Sequence, residues 1–372
     1  MSHTQNPRIL DKGGAAVFAL FLCRMLPAAT AIAAIFLACA ARVRAQTPQP
    51  AELVLPSRLV AGEPATLAVL DATGRLVPRA PIYFSDGSHT ETDVTGHAYM
   101  IAPLTAGAVI GRLTLQPGIM ACTVVLPHAP PADPEVLDVP PLVSIHDPFE
   151  VRGAGFRGDA ASNHVAFNGV PAVVLASSPA ALVVLLDSKS DPGAWKLLIS
   201  SNDPQVSASL VALAVEFNLN GSRIVLGTKT KLTVRVRGTD EPQSLEVQNF
   251  SPRVISFSNG DTERIRTRGG VDNSASLEVR TLHGGDFSFR VRVLSAEEGE
   301  PDISDAYAYL EAAQRIAPPD WKRQLDPVIA RLEGPKANVK QALSELEKLM
   351  PSAPQGDVAV FLSAAHNALH GH

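Results

Sequence analysis

The chain has 372 residues with 46% hydrophobic, 19% charged and 5% aromatic side chains, which excludes a disordered polymer and allows two to four domains. Thirty prolines and 26 glycines interrupt it too often for an all-helical or coiled-coil protein and fit many short strands joined by turns. The first 45 residues hold five basic and one acidic residue of the chain's 32 and 37; the remainder counts 27 against 36, and its net charge of −9 excludes general nucleic-acid binding.

Residues 1–45 read as an export signal. Arg8, Lys12 and Arg24 precede the apolar run AATAIAAIFLACA, and Val43-Arg44-Ala45 offers small residues at cleavage spacing, which predicts a mature chain starting near Gln46. Arg24, Pro27 and Arg42 leave the apolar run shorter than the roughly 20 residues a spanning helix prefers. The alternatives are a membrane anchor over residues 25–41 and lipidation at Cys39, where Phe36-Leu37-Ala38 departs from the usual lipobox. Cys23 and Cys39 lie in this leader, so Cys122 alone remains beyond it; its apolar context, IMACTVVL, predicts a buried thiol in a strand.

From residue 51 to 297, short Val-, Leu-, Ile- and Thr-rich runs alternate with Gly, Pro, Asp and Asn at the spacing of β-sandwich strands. The stretch HAPPADPEVLDVPP predicts a stiff connector over residues 129–140, and a weaker boundary falls near Val215. The predicted units are 51–128, 141–214 and 215–297, each a sandwich, followed by helices over 300–370.

In the first unit, Asp71-Ala72-Thr73-Gly74 and Asp93-Val94-Thr95-Gly96 predict turns in which the Asp side chain accepts from turn amides and the Gly takes a positive φ, with Ile82 and Phe84 facing the core. The pattern D-x-x-G-R-x-V-P-x-A-x-I-x-F followed by T-D-x-x-G-x-A resembles bacterial Ig-like repeats of the invasin and intimin kind.

The second unit carries Phe149-Glu150-Val151-Arg152-Gly153-Ala154-Gly155-Phe156, then Asn163-His164-Val165-Ala166-Phe167-Asn168-Gly169, then Asp191-Pro192-Gly193 before Trp195-Lys196-Leu197-Leu198-Ile199. It resembles an IPT/TIG domain throughout, though Ile145-His146-Asp147-Pro148 stands where the family has Pro, a small residue and Gly. Gly153, Gly155 and Gly158 also fit G-x-G-x-x-G, but DAASNHVAFNG predicts a turn and a strand where nucleotide binding needs a helix, so they are read as turn glycines and no cofactor is expected.

The third unit alternates with period two in Leu232–Arg237 and Phe287–Val293, predicting one buried and one basic face. It looks like another bacterial Ig-like sandwich. Residues 221–292 hold 12 Arg/Lys against 8 Asp/Glu, and Arg264, Arg266 and Arg268, with Arg290 and Arg292, form the candidate binding face for phosphates or carboxylates. Beyond residue 300 four helical stripes follow: Ile303, Tyr307, Leu310; Trp321, Leu325, Val328, Leu332; Val339, Leu343, Leu346, Met350; and Val358, Phe361, Ala365, Leu369. The bundle is expected to stand alone or to pack on the third sandwich.

No zincin, nucleophile-elbow, P-loop or paired-Cys metal pattern occurs beyond the leader, so no enzyme is expected. His366, His370 and His372 offer imidazoles, read as a solvated terminus; Asp147, Glu150 and Asp159 are read as turn carboxylates rather than Ca²⁺ ligands. The expected protein is mainly β with an α-helical C-terminus, tandem Ig-like antiparallel β-sandwiches and a small helical bundle. By resemblance it is a non-catalytic exported array that binds an envelope protein or anionic glycan. The alternative is an accessory polysaccharide-binding component of an envelope enzyme system, which calls for exposed aromatics; Trp195 and Trp321 are the tryptophans present, and core positions are expected for both.

Overall fold

The computed structural model describes residues 50–371 except 131, 202–204, 220–225, 286, 288, 295–299 and 335–336. The export-signal and anchor expectations at residues 1–45, and His372, lie outside the described residues. Among the described residues no helix is long and apolar enough to cross a membrane.

The first sandwich pairs β1 (Pro50–Val54), β3 (Pro64–Asp71) and β6 (His97–Ile101) in one sheet. Its second sheet runs β2 (Arg58–Val60), β8 (Gln116–Leu126), β7 (Gly107–Leu113), β4 (Pro81–Phe84), β5 (His89–Glu91). Leu59, Leu67, Ile82 and Phe84 fill the space between them. The two Asp turns form as the residue types dictate. Asp71 accepts from the Thr73 N–H at 2.8 Å and the Arg75 N–H at 3.0 Å, Gly74 sits at φ 78°, and Asp93 repeats the pattern with Thr95, His97 and Gly96.

The second sandwich has one sheet in the order β9 (Glu135–Asp138), β11 (Phe149–Ala154), β14 (Ala181–Leu185), β13 (Val170–Ser178). The other contains β12 (His164–Phe167), β15 (Gly193–Ser200), β16 (Gln205–Leu219) and the parallel strand β10 (Leu142–Ser144), around Phe167, Leu197 and Ile199. The third has β16, β17 (Lys229–Arg237), β21 (Ser274–Thr281) and β19 (Ile255–Ser256) against a sheet ordered β20 (Thr262–Arg266), β18 (Ser244–Asn249), β22 (Phe289–Leu294).

Two features add to the sequence reading. The proline-rich stretch is not only a connector: its proline-free centre is the edge strand β9, paired antiparallel with β11, a position where flanking prolines cost no ladder bond. The boundary near Val215 falls inside one continuous strand, because β16 pairs β15 through residues 205–212 and β17 through residues 214–219, so that strand belongs to two sandwiches.

Four helices follow: α1 (Ile303–Ile316), α2 (Pro319–Leu332), α3 (Val339–Leu349) and α4 (Asp357–His370). Pro319 occupies the first turn of α2, and Trp321, Leu325, Val328 and Leu332 are buried as the stripe requires. The helices pack on the first sandwich, not the third. Ile110 and Val124, with Ala108, Met120, Cys122 and Leu126 on the outer side of β7 and β8, join Ala306, Leu310 and Phe361 in one core. The sheet containing β7 and β8 is therefore apolar on both faces, its other side holding Val109, Leu113 and Val125 in the sandwich interior.

The sandwiches and helices meet through specific contacts. Thr66, fully buried, donates to the Gly158 carbonyl at 2.7 Å and accepts from the Ala160 N–H at 3.1 Å, while Leu70, Leu175, Ala176 and Val183 form an apolar cluster between the first two sandwiches. Gly158 has no room for a side chain, since a Cβ there would lie 2.0 Å from the Pro64 carbonyl oxygen. Asp302 caps α1 by accepting from the Asp305 N–H at 3.0 Å, and its carboxylate also meets Arg58 of the first sandwich and, at 2.7 Å, Arg152 of the second. Asp305, 3% exposed, adds a 3.1 Å pair to Arg58. Burial holds Asp305 above the ordinary carboxylate range despite the arginines; burial pushes Asp302 the same way, but the Asp305 N–H, Arg58 and Arg152 outweigh it and hold Asp302 below that range.

Candidate functional site

The basic face is built by strand register. On the outer side of the sheet formed by β20, β18 and β22, Arg264 and Arg292 stand opposite Glu246 from either flank, and Arg266 stands opposite Ser244 one step along. Strands lie about 4.8 Å apart, so the three guanidinium groups share one patch. Arg264, Arg266 and Arg292 are exposed; Arg264 pairs with Glu246 at 3.1 Å, and no ion pair joins Arg266, Arg268 or Arg292 to an acid among the described residues. Arg268 is exposed but lies two residues beyond the end of β20, where its N–H donates to the Ser274 carbonyl, so it extends the patch rather than continuing the strand.

Arg290 is a correction. Period two places it on the same face as Arg292, but the first and second sandwiches close over it: its side chain is 16% exposed, paired with Glu52 and, at 3.4 Å, with Asp147. It is an interdomain clamp, and the expected binding face loses it.

That clamp separates two clefts at the meeting point of the three sandwiches. The larger, about 400 Å³, is lined by the Asp71–Gly74 turn, Asp147, Phe217, Phe250, Phe289 and Arg290. The smaller, about 310 Å³, is lined by Pro140, Leu142, Asp147, Phe149, Arg290 and Arg292, so the exposed basic face opens into it through Arg292. Phe289 anchors an aromatic group beneath the larger cleft, with ring centroids 5.6 Å from Phe217 and 5.5 Å from Phe257. Burial raises the Asp147 carboxyl to about 6 even though Arg290 and Arg292 pull it down. Neither cleft was legible beforehand, because its walls come from three separate units.

The remaining sequence candidates go elsewhere. Glu150 accepts from the Ser57 N–H at 2.8 Å and pairs with Arg152 at 3.2 Å, Asp159 caps a short helical turn through the Ala161 N–H at 3.1 Å, and Asp147 holds Arg290, so the three carboxylates do not converge on a common ion. A Cβ on Gly153 would lie 2.1 Å from the Glu135 carbonyl oxygen and Gly155 adopts φ 70°, which accounts for these glycines by strand approach and turn geometry. Cys122 packs under α1, and burial pushes its thiol up to about 12. Trp321 is in the helical core, but Trp195 is 42% exposed on β15, against the expectation of a core position: β15 continues past the end of its partner β12, which leaves that face of Trp195 uncovered.

No family model matches the sequence, and no curated protein matches it. Solved structures that superpose in part include the extracellular region of plexin A4, 12% identical over 66% of this chain and 23% of that one, TM-score 0.27. Another is SGBP-B of a Bacteroides ovatus mixed-linkage glucan utilization locus, solved with a mixed-linkage heptasaccharide, 11% identical over 67% and 76% of the two chains, TM-score 0.22. A third, the four N-terminal Ig domains of Dscam1 isoform 7.44, is 11% identical over 63% and 72%, TM-score 0.23. This chain spans under a quarter of the plexin's length. The sandwich architecture is established by the strand pairings themselves.

Proposed function

We propose that the chain is a non-catalytic, exported binding module of the bacterial cell envelope, in which bacterial Ig-like and IPT/TIG-type sandwiches present a face for an anionic glycan. The observation that carries this reading is the continuity of Arg264, Arg266 and Arg292 with the cleft beside Arg290. Exposed guanidinium groups on a twisted sheet meet carboxylate or phosphate oxygens bidentately, and a cleft at one end of the row fixes where a chain terminus or branch sits. Rigidity favours this use: a strand shared between sandwiches and ion-paired joints spare much of the ordering cost of binding.

The test is retention of purified envelope glycans and of envelope extract on the immobilised chain, with Arg264, Arg266 and Arg292 changed together to Ser. Loss of anionic-glycan retention in the variant is expected. Unchanged retention, retention of proteins alone, or turnover of a glycan would overturn the reading. The accessory polysaccharide-binding alternative draws support from exposed Trp195; it requires Trp195→Ala, not the arginine variant, to abolish binding of a neutral glycan.

A further inference from the structure

The C-terminal helices bring together three side chains that the basic-face reading does not use. His366 and His370 stand four residues apart on α4, hence on one face, with ring centroids 4.5 Å apart. Glu347 reaches them from α3: its Oε1 lies 3.7 Å from His366 Nε2 and 3.8 Å from His370 Nε2, and the three ligand atoms all fall within 4.8 Å of one another.

We propose that Glu347, His366 and His370 form a binding site for a divalent transition-metal ion of the zinc class, which ties α3 to α4. Tetrahedral zinc with nitrogen and oxygen ligands about 2.0–2.2 Å away sets its ligand atoms about 3.3–3.5 Å apart. Both carboxylate–imidazole separations are within a few tenths of an ångström of that spacing, so an ion can enter by small rotations of side chains already facing one another. Two imidazoles and one carboxylate suit zinc, nickel or copper and disfavour magnesium and calcium, which take oxygen ligands. The imidazoles are 24% and 32% exposed and the carboxylate 52%, so the site opens to solvent and water completes the coordination. The third ligand comes from a different helix, 19 residues before His366 and 23 before His370, which makes the site a cross-link rather than a patch on one helix.

Isothermal titration of the untagged full chain with zinc chloride tests this directly. One zinc per chain is expected, with a rise in the thermal midpoint, and magnesium and calcium giving neither. His366→Ala and His370→Ala should each weaken zinc by about ten-fold or more, and Glu347→Gln, which keeps the side-chain shape, should also weaken it, while His164→Ala, on the distant strand β12, retains wild-type affinity. Imidazole NMR signals read the wild-type chain itself and guard against misfolded variants: zinc should shift those of His366 and His370 selectively. Absence of zinc binding, affinity unchanged in either histidine variant, or signals shifted elsewhere would overturn the site. Affinity unchanged in Glu347→Gln would overturn the three-ligand assignment.

Discussion

Asp302→Ala strikes the joint between the helices and the first two sandwiches. The carboxylate does two jobs there: it accepts from the Asp305 N–H at the start of α1, and it faces Arg58 and Arg152. Loss of an N-cap costs about 1 kcal/mol. Removing one partner from a buried pair costs about 3–5 kcal/mol. Here the guanidinium side chains are 20% and 28% exposed, and Asp305 still contacts Arg58 at 3.1 Å and Arg152 at 3.8 Å, so a smaller electrostatic loss applies. An electrostatic loss of about 2 kcal/mol and the cap together give about 3 kcal/mol. At about 2–4 °C per kcal/mol for a chain of this size, the thermal midpoint falls by about 6–12 °C. Circular dichroism melts of wild type, Asp302→Ala, Arg152→Ala and the double variant measure it, and the pair should show coupling of about 1 kcal/mol or more. A loss under about 1 kcal/mol with no coupling would show that apolar contact alone holds the helices, and that the charge joint described above contributes nothing.

Asp147 carries the opposite pH sign from a paired surface acid. Its folded value, about 6, lies above the ordinary 3.8, so the folded chain binds the extra proton and stability falls as pH rises from about 4 to 6. Asp147→Asn should flatten that part of the stability–pH profile in urea titrations; an unchanged slope contradicts the assignment. Cys122, half-buried beneath α1 with its thiol pushed to about 12, should react with a thiol reagent at neutral pH far more slowly than a free thiol, and labelling at the rate of a free thiol in native conditions would contradict its placement.

Much of this architecture was written in local pattern. Period-two alternation located β17 and β22, Asp-x-x-Gly turns marked strand ends, and the four apolar stripes became the buried sides of four helices. What stayed hidden was non-local. IMACTVVL lacks alternation because one side of β8 faces the sandwich interior and the other faces the helices, so it signals two buried faces without saying what covers the second. Arg290 and Arg292 have equivalent sequence surroundings and share a strand face, yet Glu52 and Asp147 from two other sandwiches close on only Arg290. The histidines of α4 were visible as a pair, but Glu347 joins them only through the packing of α3 on α4.

The central claim is that exposed arginines of the third sandwich, rather than Trp195, hold an anionic glycan. Equilibrium affinity of one purified anionic glycan for the wild-type chain and for the Arg264, Arg266 and Arg292 triple Ser variant, at roughly 0.05 M and 0.5 M salt, tests it most directly, because surface charge contacts weaken as the screening length contracts. The account predicts binding by the wild type that drops sharply at the higher salt and is largely lost in the variant at either. Equal affinity in the two proteins, insensitive to salt, would contradict it.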